Sequence, residues 1–156
     1  MKIFIILVFF LTSVLISQEL KIKANKFSAD EKAGISIFEG DVNVVKGNDE
    51  LNASKVTIFT NKEHQPTKYI AKGDVSFKIE TKKGSKYEGK AKKVIFLPIA
   101  KEYHFFKNVY LKQVDEKKEI LGDEVVLKIT EGKAYAKGIK TEPVIMIFDM
   151  PKDEEK

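Results

Sequence analysis

FEGDVNVVKGNDELNASKVTIF, residues 38–59, contains the pattern that decides the fold. Apolar and polar side chains alternate in VNV at residues 42–44 and again in VTI at residues 56–58. This period of two is typical of half-buried β-strands. Between the two runs, KGND at residues 46–49 has the composition of a reverse turn. The stretch therefore predicts two antiparallel strands joined by a short connection.

The same alternation continues along the chain. It recurs in VSFKI at residues 75–79 and in VYLK at residues 109–112. Turn compositions fall between the alternating runs, at residues 60–62, 82–85, 115–118 and 131–133. After the first twenty residues no long amphipathic helix is indicated. The sequence therefore predicts an all-β protein.

A degenerate internal repeat organises these strands. One half-unit is a small residue, two variable residues and a β-branched or aromatic residue, as in ANKF (24–27), ASKV (53–56), AKKV (91–94) and GDEV (122–125). The other reads FEGDV (38–42), AKGDV (71–75), FFKNV (105–109) and, much eroded, AKGIK (136–140). The half-units recur at intervals of about 16 residues. A unit of this length is too short to bury its own apolar face. We therefore expect successive copies to stack around one shared interior, with the small residues at corners between two facing sheets.

The N-terminal segment resembles an export signal. Lys2 precedes an apolar run from Ile3 to Ile16, which is long enough for a signal-peptide core and short for a membrane-spanning helix. We expect residues 1–17 to be a signal peptide removed after Ser17, with an uncleaved membrane anchor as the alternative. The chain contains no cysteine, so it cannot form a disulfide bond in an oxidising compartment.

Composition argues against nucleic-acid recognition and catalysis. The basic residues are all lysines, which lack the bidentate geometry that arginine uses on phosphates and bases. The two histidines, His64 and His104, are far apart in sequence and have no metal-ligand spacing. No catalytic motif is present, and we predict no catalytic residue, metal or cofactor.

The repeat segments also resemble the LptA/OstA family of lipopolysaccharide-transport proteins. The resemblance covers roughly residues 20–151 and depends on LKIKA (20–24), FEGDV (38–42), LNASKV (51–56) and NVYLKQVD (108–115). It implies a semi-closed β-jelly roll, or β-taco, of consecutive antiparallel strands over residues 18–151, followed by a polar tail at residues 152–156. It also implies a periplasmic carrier that binds the lipid A part of lipopolysaccharide. Such a carrier connects an LptC-like inner-membrane component with an LptD-like outer-membrane protein.

The resemblance also implies a lining for the groove that would hold the acyl chains, through the parity of the opening and repeat segments that match the family. The predicted groove residues are Leu20, Ile22, Phe38, Val42, Val44, Val56, Ile58, Val75, Phe77, Val94, Phe96, Val109, Leu111 and Leu127. An ordinary sandwich core uses the same residue types at the same parity, and it remains the alternative interpretation.

The first and last strands are predicted to pair with neighbouring molecules. Residues 19–27 and 144–150 are apolar enough to accept an added strand, which would cover otherwise unpaired backbone groups. The residues expected to take part are Leu20, Ile22, Val144, Ile145, Ile147 and Phe148. We expect a head-to-tail homo-oligomer; alternatively, the protein's own fold covers these strands. The competing functions are a membrane-anchored LptC-like component and a structural β-scaffold with a solid interior.

Overall fold

A computed structural model describes residues 19–150 as ten β-strands. They are β1 (Leu20–Lys23), β2 (Lys26–Asp30), β3 (Ile35–Lys46), β4 (Asp49–Thr60), β5 (Pro66–Glu80), β6 (Lys86–Leu97), β7 (Glu102–Gln113), β8 (Lys118–Lys128), β9 (Lys133–Lys137) and β10 (Ile145–Phe148). The predicted signal peptide and the polar tail at residues 152–156 lie outside the described residues.

All ten strands belong to one antiparallel sheet. The order is β1-β3-β4-β5-β6-β7-β8-β10, with β2 also pairing with β3 and β9 also pairing with β8. The sheet does not close on itself, because β1 and β10 lie at opposite ends of this order. The prediction of an all-β, semi-closed jelly roll of consecutive antiparallel strands is therefore confirmed.

The sheet is bent into two facing layers. Strand register shifts near the middle of the pairings from β3 to β8, and every pairing continues beyond the shift. We call the two parts layer A and layer B. Layer A contains residues 20–23, 42–46, 49–53, 75–80, 86–91, 109–113, 118–122 and 145–148; layer B contains residues 26–30, 35–39, 55–60, 66–72, 93–97, 102–106, 124–128 and 133–137.

The second half-unit of the repeat forms the bends. Gly40-Asp41 and Gly73-Asp74 each place two consecutive residues at positive φ, 81° and 44° in the first pair and 85° and 45° in the second. In the third copy, Lys107-Asn108 adopts the same left-handed pair, with φ of 63° and 49°. Left-handed backbone within a strand makes a bulge that turns the strand sharply. The sequence pattern therefore marks the line along which the sheet folds.

The first half-unit packs against these bends on the neighbouring strand. A Cβ atom added at Gly40 would lie 2.7 Å from Asn25 Nδ2, and one added at Gly73 would lie 2.5 Å from Ser54 Oγ. The Ser54 hydroxyl donates a hydrogen bond of 3.2 Å to the Gly73 carbonyl oxygen. Glycine is therefore needed at these bends for both its left-handed backbone and its lack of a side chain.

Three details differ from the sequence-based expectation. The strands from β3 to β8 continue through the predicted corners as single bent strands of 11 to 15 residues. The expected first strand at residues 19–27 is divided after Lys23, and β1 and β2 pair with the two parts of β3. The eroded repeat at residues 136–140 forms no left-handed pair; the chain leaves β9 and returns as β10. In this fourth copy, unlike the third, loss of the left-handed pair coincides with loss of the continuous bent strand.

Side-chain packing holds the two layers together. Phe77 of layer A stacks on Phe105 of layer B, with ring centroids 4.5 Å apart. The Phe77 ring also occupies the space beside Gly89 on the adjacent strand. A Cβ atom added at Gly89 would lie 3.0 Å from the Phe77 ring. Each strand pairing among residues 19–150 joins segments of the same layer. Interlayer cohesion therefore depends on apolar burial.

Candidate ligand groove

The space between the layers is lined by apolar side chains. Its buried residues come from both layers and include Val42, Val75 and Leu111 of layer A and Val94 and Phe105 of layer B. Among the described residues no polar or charged side chain is buried. Such an interior can exclude water from hydrocarbon but offers it no directional hydrogen bond.

A cavity of about 120 Å³ lies within this interior. Layer A contributes Val44, Leu51 and Ile79 to its walls, and layer B contributes Tyr69 and Phe96 among others. The lining also includes Pro98, from the turn after β6, and Asp49, at the start of β4. Both residues lie at the ends of their strands, away from the bends. The cavity therefore reaches the free rims of the two layers and extends inward to Val56, Ala71 and Val94, beside the bends.

Aromatic rings form much of the layer B wall. Tyr69 and Phe96 have centroids 5.7 Å apart, and Phe96 stacks on Tyr103 at 4.4 Å. Tyr103 lies 6.0 Å from Phe105, which in turn stacks on Phe77 of the opposite layer. Burial, reinforced by the nearby Asp49 carboxylate, raises the pKa of the Tyr103 hydroxyl strongly. Tyrosine is already uncharged at neutral pH, and the raised pKa keeps Tyr103 protonated in more alkaline solution as well.

Charged residues occur at the rim. Lys46, Asp49, Glu50 and Lys78 border the cavity. The backbone N–H of Glu80 donates a hydrogen bond of 2.8 Å to Asp49 Oδ1. Burial raises the pKa of Asp49 even though this hydrogen bond and the neighbouring Lys46 favour its ionised form. Both positively and negatively charged side chains therefore lie at the rim, beside an apolar interior.

The predicted groove residues all belong to the inward face of the sheet. Leu20, Val44, Val56, Phe77, Val94 and Phe96 line the cavity. Val42, Ile58, Val75, Val109, Leu111 and Leu127 are buried in the surrounding core, while Ile22 and Phe38 are partly buried against it. The structure brings them to one surface. Their part in binding a lipid stays a prediction.

Sequence reasoning missed several lining residues. Ile79 continues the alternation of Val75 and Phe77, so parity could have identified it. Tyr103 and Phe105 lie in the aromatic run YHFF, residues 103–106, where period two alone does not decide which pair faces inward. Leu51 begins a repeat segment whose parity follows from the buried Ala53. The inward orientation of Tyr103 and Phe105 could not be assigned, because it follows from their register against the neighbouring strands.

The cavity is smaller than the engineered cavity of about 150 Å³ that holds benzene. A larger apolar ligand would therefore fit only if the rims moved apart. Since the described strand pairings do not connect one layer with the other, opening would break side-chain contacts and leave the sheet hydrogen bonds intact. Hydrocarbon entering the gap would restore the lost apolar contacts.

The end strands have exposed side chains. In β10, Ile145, Met146, Ile147 and Phe148 are each about half exposed. Within residues 19–150, β10 pairs only with β8, and β1 pairs only with β3. The outer backbone edges of both strands are thus open in this part of the chain. Leu20 lines the cavity, so the β1 edge adjoins the groove.

Other kinds of site are not apparent in residues 19–150. These residues form no group of three or more histidine, cysteine, aspartate or glutamate side chains suited to a metal ion. Within the same range, no helix has the length and apolar character needed to cross a membrane.

Comparison with known proteins gives two findings. The model of the family described as LptA/(LptD N-terminal domain) LPS transport protein matches residues 21–133. The crystal structure of LptH from Pseudomonas aeruginosa superposes with a TM-score of 0.73 at 15% identity, covering 85% of this chain and 96% of that one. LptH is described as the LptA-homologous periplasmic component of the lipopolysaccharide transport device. The comparison with curated proteins found no match.

Proposed function

The chain belongs to the LptA/LptD N-terminal domain family of lipopolysaccharide transport proteins, and we propose that it is a periplasmic carrier that holds lipid A acyl chains between its two layers. The observation that carries this proposal is the apolar interior, which is open near the rims and lacks buried polar side chains among the described residues. Each methylene removed from water contributes about 0.8 kcal/mol, so such an interior offsets the cost of moving acyl chains through an aqueous compartment.

The charged rim suits the rest of such a ligand. Acyl chains would lie between the layers, and the phosphorylated sugars would remain at the rim, where Lys46 and Lys78 are located. Lysine acts as a flexible point charge and can follow an anionic group that changes position. A carrier that binds and releases its cargo benefits from this adaptability.

We further propose that the protein connects an LptC-like inner-membrane component with an LptD-like outer-membrane protein through its open end strands. Strand addition to an open edge is a general mode of recognition that provides affinity through main-chain hydrogen bonds. β1 and β10 both belong to layer A, and β2 and β9 both belong to layer B. Adding a partner at either end would therefore extend both layers and lengthen the groove between them.

The same geometry supports head-to-tail self-association. β1 and β10 each contain four residues, and β2 and β9 each contain five. The two edges of successive copies therefore match in length as well as in layer. Pairing would also cover the exposed apolar side chains of β10, which otherwise favour aggregation.

Photo-crosslinking tests the carrier function. A photoreactive amino acid at Phe96, which is partly exposed beside the cavity, is expected to capture lipopolysaccharide in cells. The same substitution at Phe77 reports on the opposite layer. Because the hydrocarbon would lie between the layers, both positions should give a lipid adduct on immunoblots.

Ser76 provides the matched control. It precedes Phe77 on the same strand and faces outward from layer A. Lys78 also alternates outward, but it reaches the cavity rim and is a poorer control. Crosslinking at Ser76 equal to that at Phe77 and Phe96 would contradict the groove assignment.

Self-association has a separate test. Ile147→Lys places a charge in the terminal strand and is expected to reduce concentration-dependent association at least about tenfold, because edge lysines oppose strand addition. Deletion of residues 144–156 should abolish association altogether. Sedimentation velocity over a range of concentrations measures both effects. Association that persists unchanged in the deletion variant would exclude pairing through β10.

A further inference from the structure

The outward face of layer B is unexpectedly apolar. Ile37, Ile70, Ile95 and Val126 lie in one row that crosses β3, β5, β6 and β8, with Thr57 and His104 occupying the strands between. Phe59 and Phe106 flank this row on either side, and all of the named apolar side chains are partly exposed. This row belongs neither to the groove nor to the terminal edges.

The equivalent row on layer A is polar across β3 to β6 before it continues to Tyr110 and Leu121 on β7 and β8, which gives an internal comparison. Asn43, Asn52, Ser76 and Lys90 are cross-strand neighbours on the outward face of that layer. Asn43 Nδ2 donates hydrogen bonds of 2.9 Å to Glu50 and to Asn52. A solvated outer surface is therefore compatible with this fold. The apolar row on layer B is a property of that layer.

Lysines border the apolar row on both sides. Lys55, Lys72 and Lys93 occupy neighbouring strands along one flank. Lys68 and Lys128 lie on the other flank. Two of these ammonium groups lie over aromatic rings, Lys68 4.7 Å from the Phe59 centroid and Lys93 5.6 Å from the Phe106 centroid. Glu39, Glu102 and Glu124 also lie on these flanks, and Glu39 and Glu102 pair with Lys55 and Lys128 at 3.4 and 3.7 Å. The lysines outnumber these carboxylates, so the surface combines apolar and aromatic side chains with a net positive border.

We propose that the outward face of layer B docks on the surface of an anionic lipid membrane. Apolar and aromatic side chains enter the boundary between head groups and acyl chains, while lysines around them meet lipid phosphates. The alkyl stems of these lysines can lie along the apolar row as their ammonium groups reach outward. Docking by this face would leave the groove rims and the end strands free.

The charge pattern favours a lipid surface over a second copy of the chain. A face-to-face dimer would bring the lysines of both copies together around the apolar centre, and like charges at an interface oppose association. An anionic membrane instead supplies the opposite charge over the whole face. The lysines around the apolar row therefore favour a negatively charged lipid surface as the partner.

Vesicle sedimentation of the protein from Gln18 onward, without the apolar leader, tests this proposal. The protein is expected to bind vesicles of phosphatidylcholine mixed with phosphatidylglycerol, to bind vesicles of phosphatidylcholine alone much more weakly, and to be released by added salt. The double variant Lys72→Glu with Lys93→Glu should lower binding to the anionic vesicles about tenfold or more, because each lysine near such a surface contributes to attraction. Ile70→Glu with Ile95→Glu should have a similar effect through loss of apolar contact.

Lys90→Glu with Lys112→Glu is the matched control, because it makes the same change of charge on the outward face of layer A. This control should bind like the original protein. An equal loss in both lysine variants, or unchanged binding in the layer B variant, would overturn the proposal. So would a loss of self-association in the Ile70/Ile95 variant with vesicle binding intact, since the face would then join two copies. The lysine variants keep the apolar side chains, so they decide the question even if the isoleucine variant does not fold.

Discussion

Phe105→Ala is expected to lower the free energy of unfolding by about 3–5 kcal/mol. Phe105 is the largest of the fully buried side chains, with 0% of its surface exposed. It contacts Phe77 across the gap and Tyr103 along its own strand. Removing the ring leaves a cavity and weakens interlayer packing, and the strand pairings of residues 19–150 do not join the two layers. Chemical denaturation measures the loss.

Phe106→Ala is the control for this experiment. Phe106 is the next residue on β7, faces outward and is partly exposed. Its truncation should cost about 1 kcal/mol, because less of its surface is removed from water. Equal losses at the two positions would mean that Phe105 does not hold the layers together.

Gly89→Ala should produce a comparably large loss, of about 3 kcal/mol. An added Cβ atom would overlap the Tyr110 carbonyl oxygen of the adjacent strand and approach the Phe77 ring. A flexible side chain could move away, but a carbonyl group within a sheet cannot shift without disturbing the ladder. The change should also displace Phe77 from the interlayer stack. Denaturation together with near-ultraviolet circular dichroism detects both consequences.

Gly84→Ala separates this steric effect from loss of backbone freedom. Gly84 has a φ of 87° in the turn before β6, and a Cβ atom there would meet nothing within 4 Å. Its substitution should cost only about 1 kcal/mol of backbone strain. If Gly89→Ala were no more damaging than Gly84→Ala, the close approach at position 89 would be wrong.

The fold class and the bends could be predicted because both depend on local sequence. Period-two alternation identifies strands, and the Gly-Asp pairs at residues 40–41 and 73–74 mark positions where a side chain is disfavoured. The third bend shows the limit of this rule, since Lys107-Asn108 adopts the same backbone without glycine. Asparagine tolerates the left-handed region better than most other residues, and the position of this pair in the repeat is what identifies the bend.

The groove could be predicted only in part. Parity identified inward-facing aliphatic residues such as Val56 and Val94, because alternation is a property of each strand alone. The aromatic wall of Tyr69, Tyr103 and Phe105 depends on which strands are neighbours and in what register. The size of the cavity depends on how far the layers approach, which is a property of the whole packed interior.

The apolar outer face of layer B illustrates a different limit. Ile70 and Ile95 are adjacent to inward-facing Ala71 and Val94, so these strands contain consecutive apolar residues. Such runs obscure the period of two and do not indicate which residue faces outward. Only the cross-strand registers align the outward residues into one continuous row.

The order of the strands has a consequence for how the molecule is made. From β3 to β8 each strand pairs with the next one in the chain through a connection of a few residues. Hairpins of this kind close small loops, so a polypeptide delivered from its N-terminus can acquire structure progressively, without a search among distant segments. Among the described strands β10 would be delivered last, and a molecule interrupted before its hydrogen bonds form would expose the layer A part of the β8 edge as a template for misassembly.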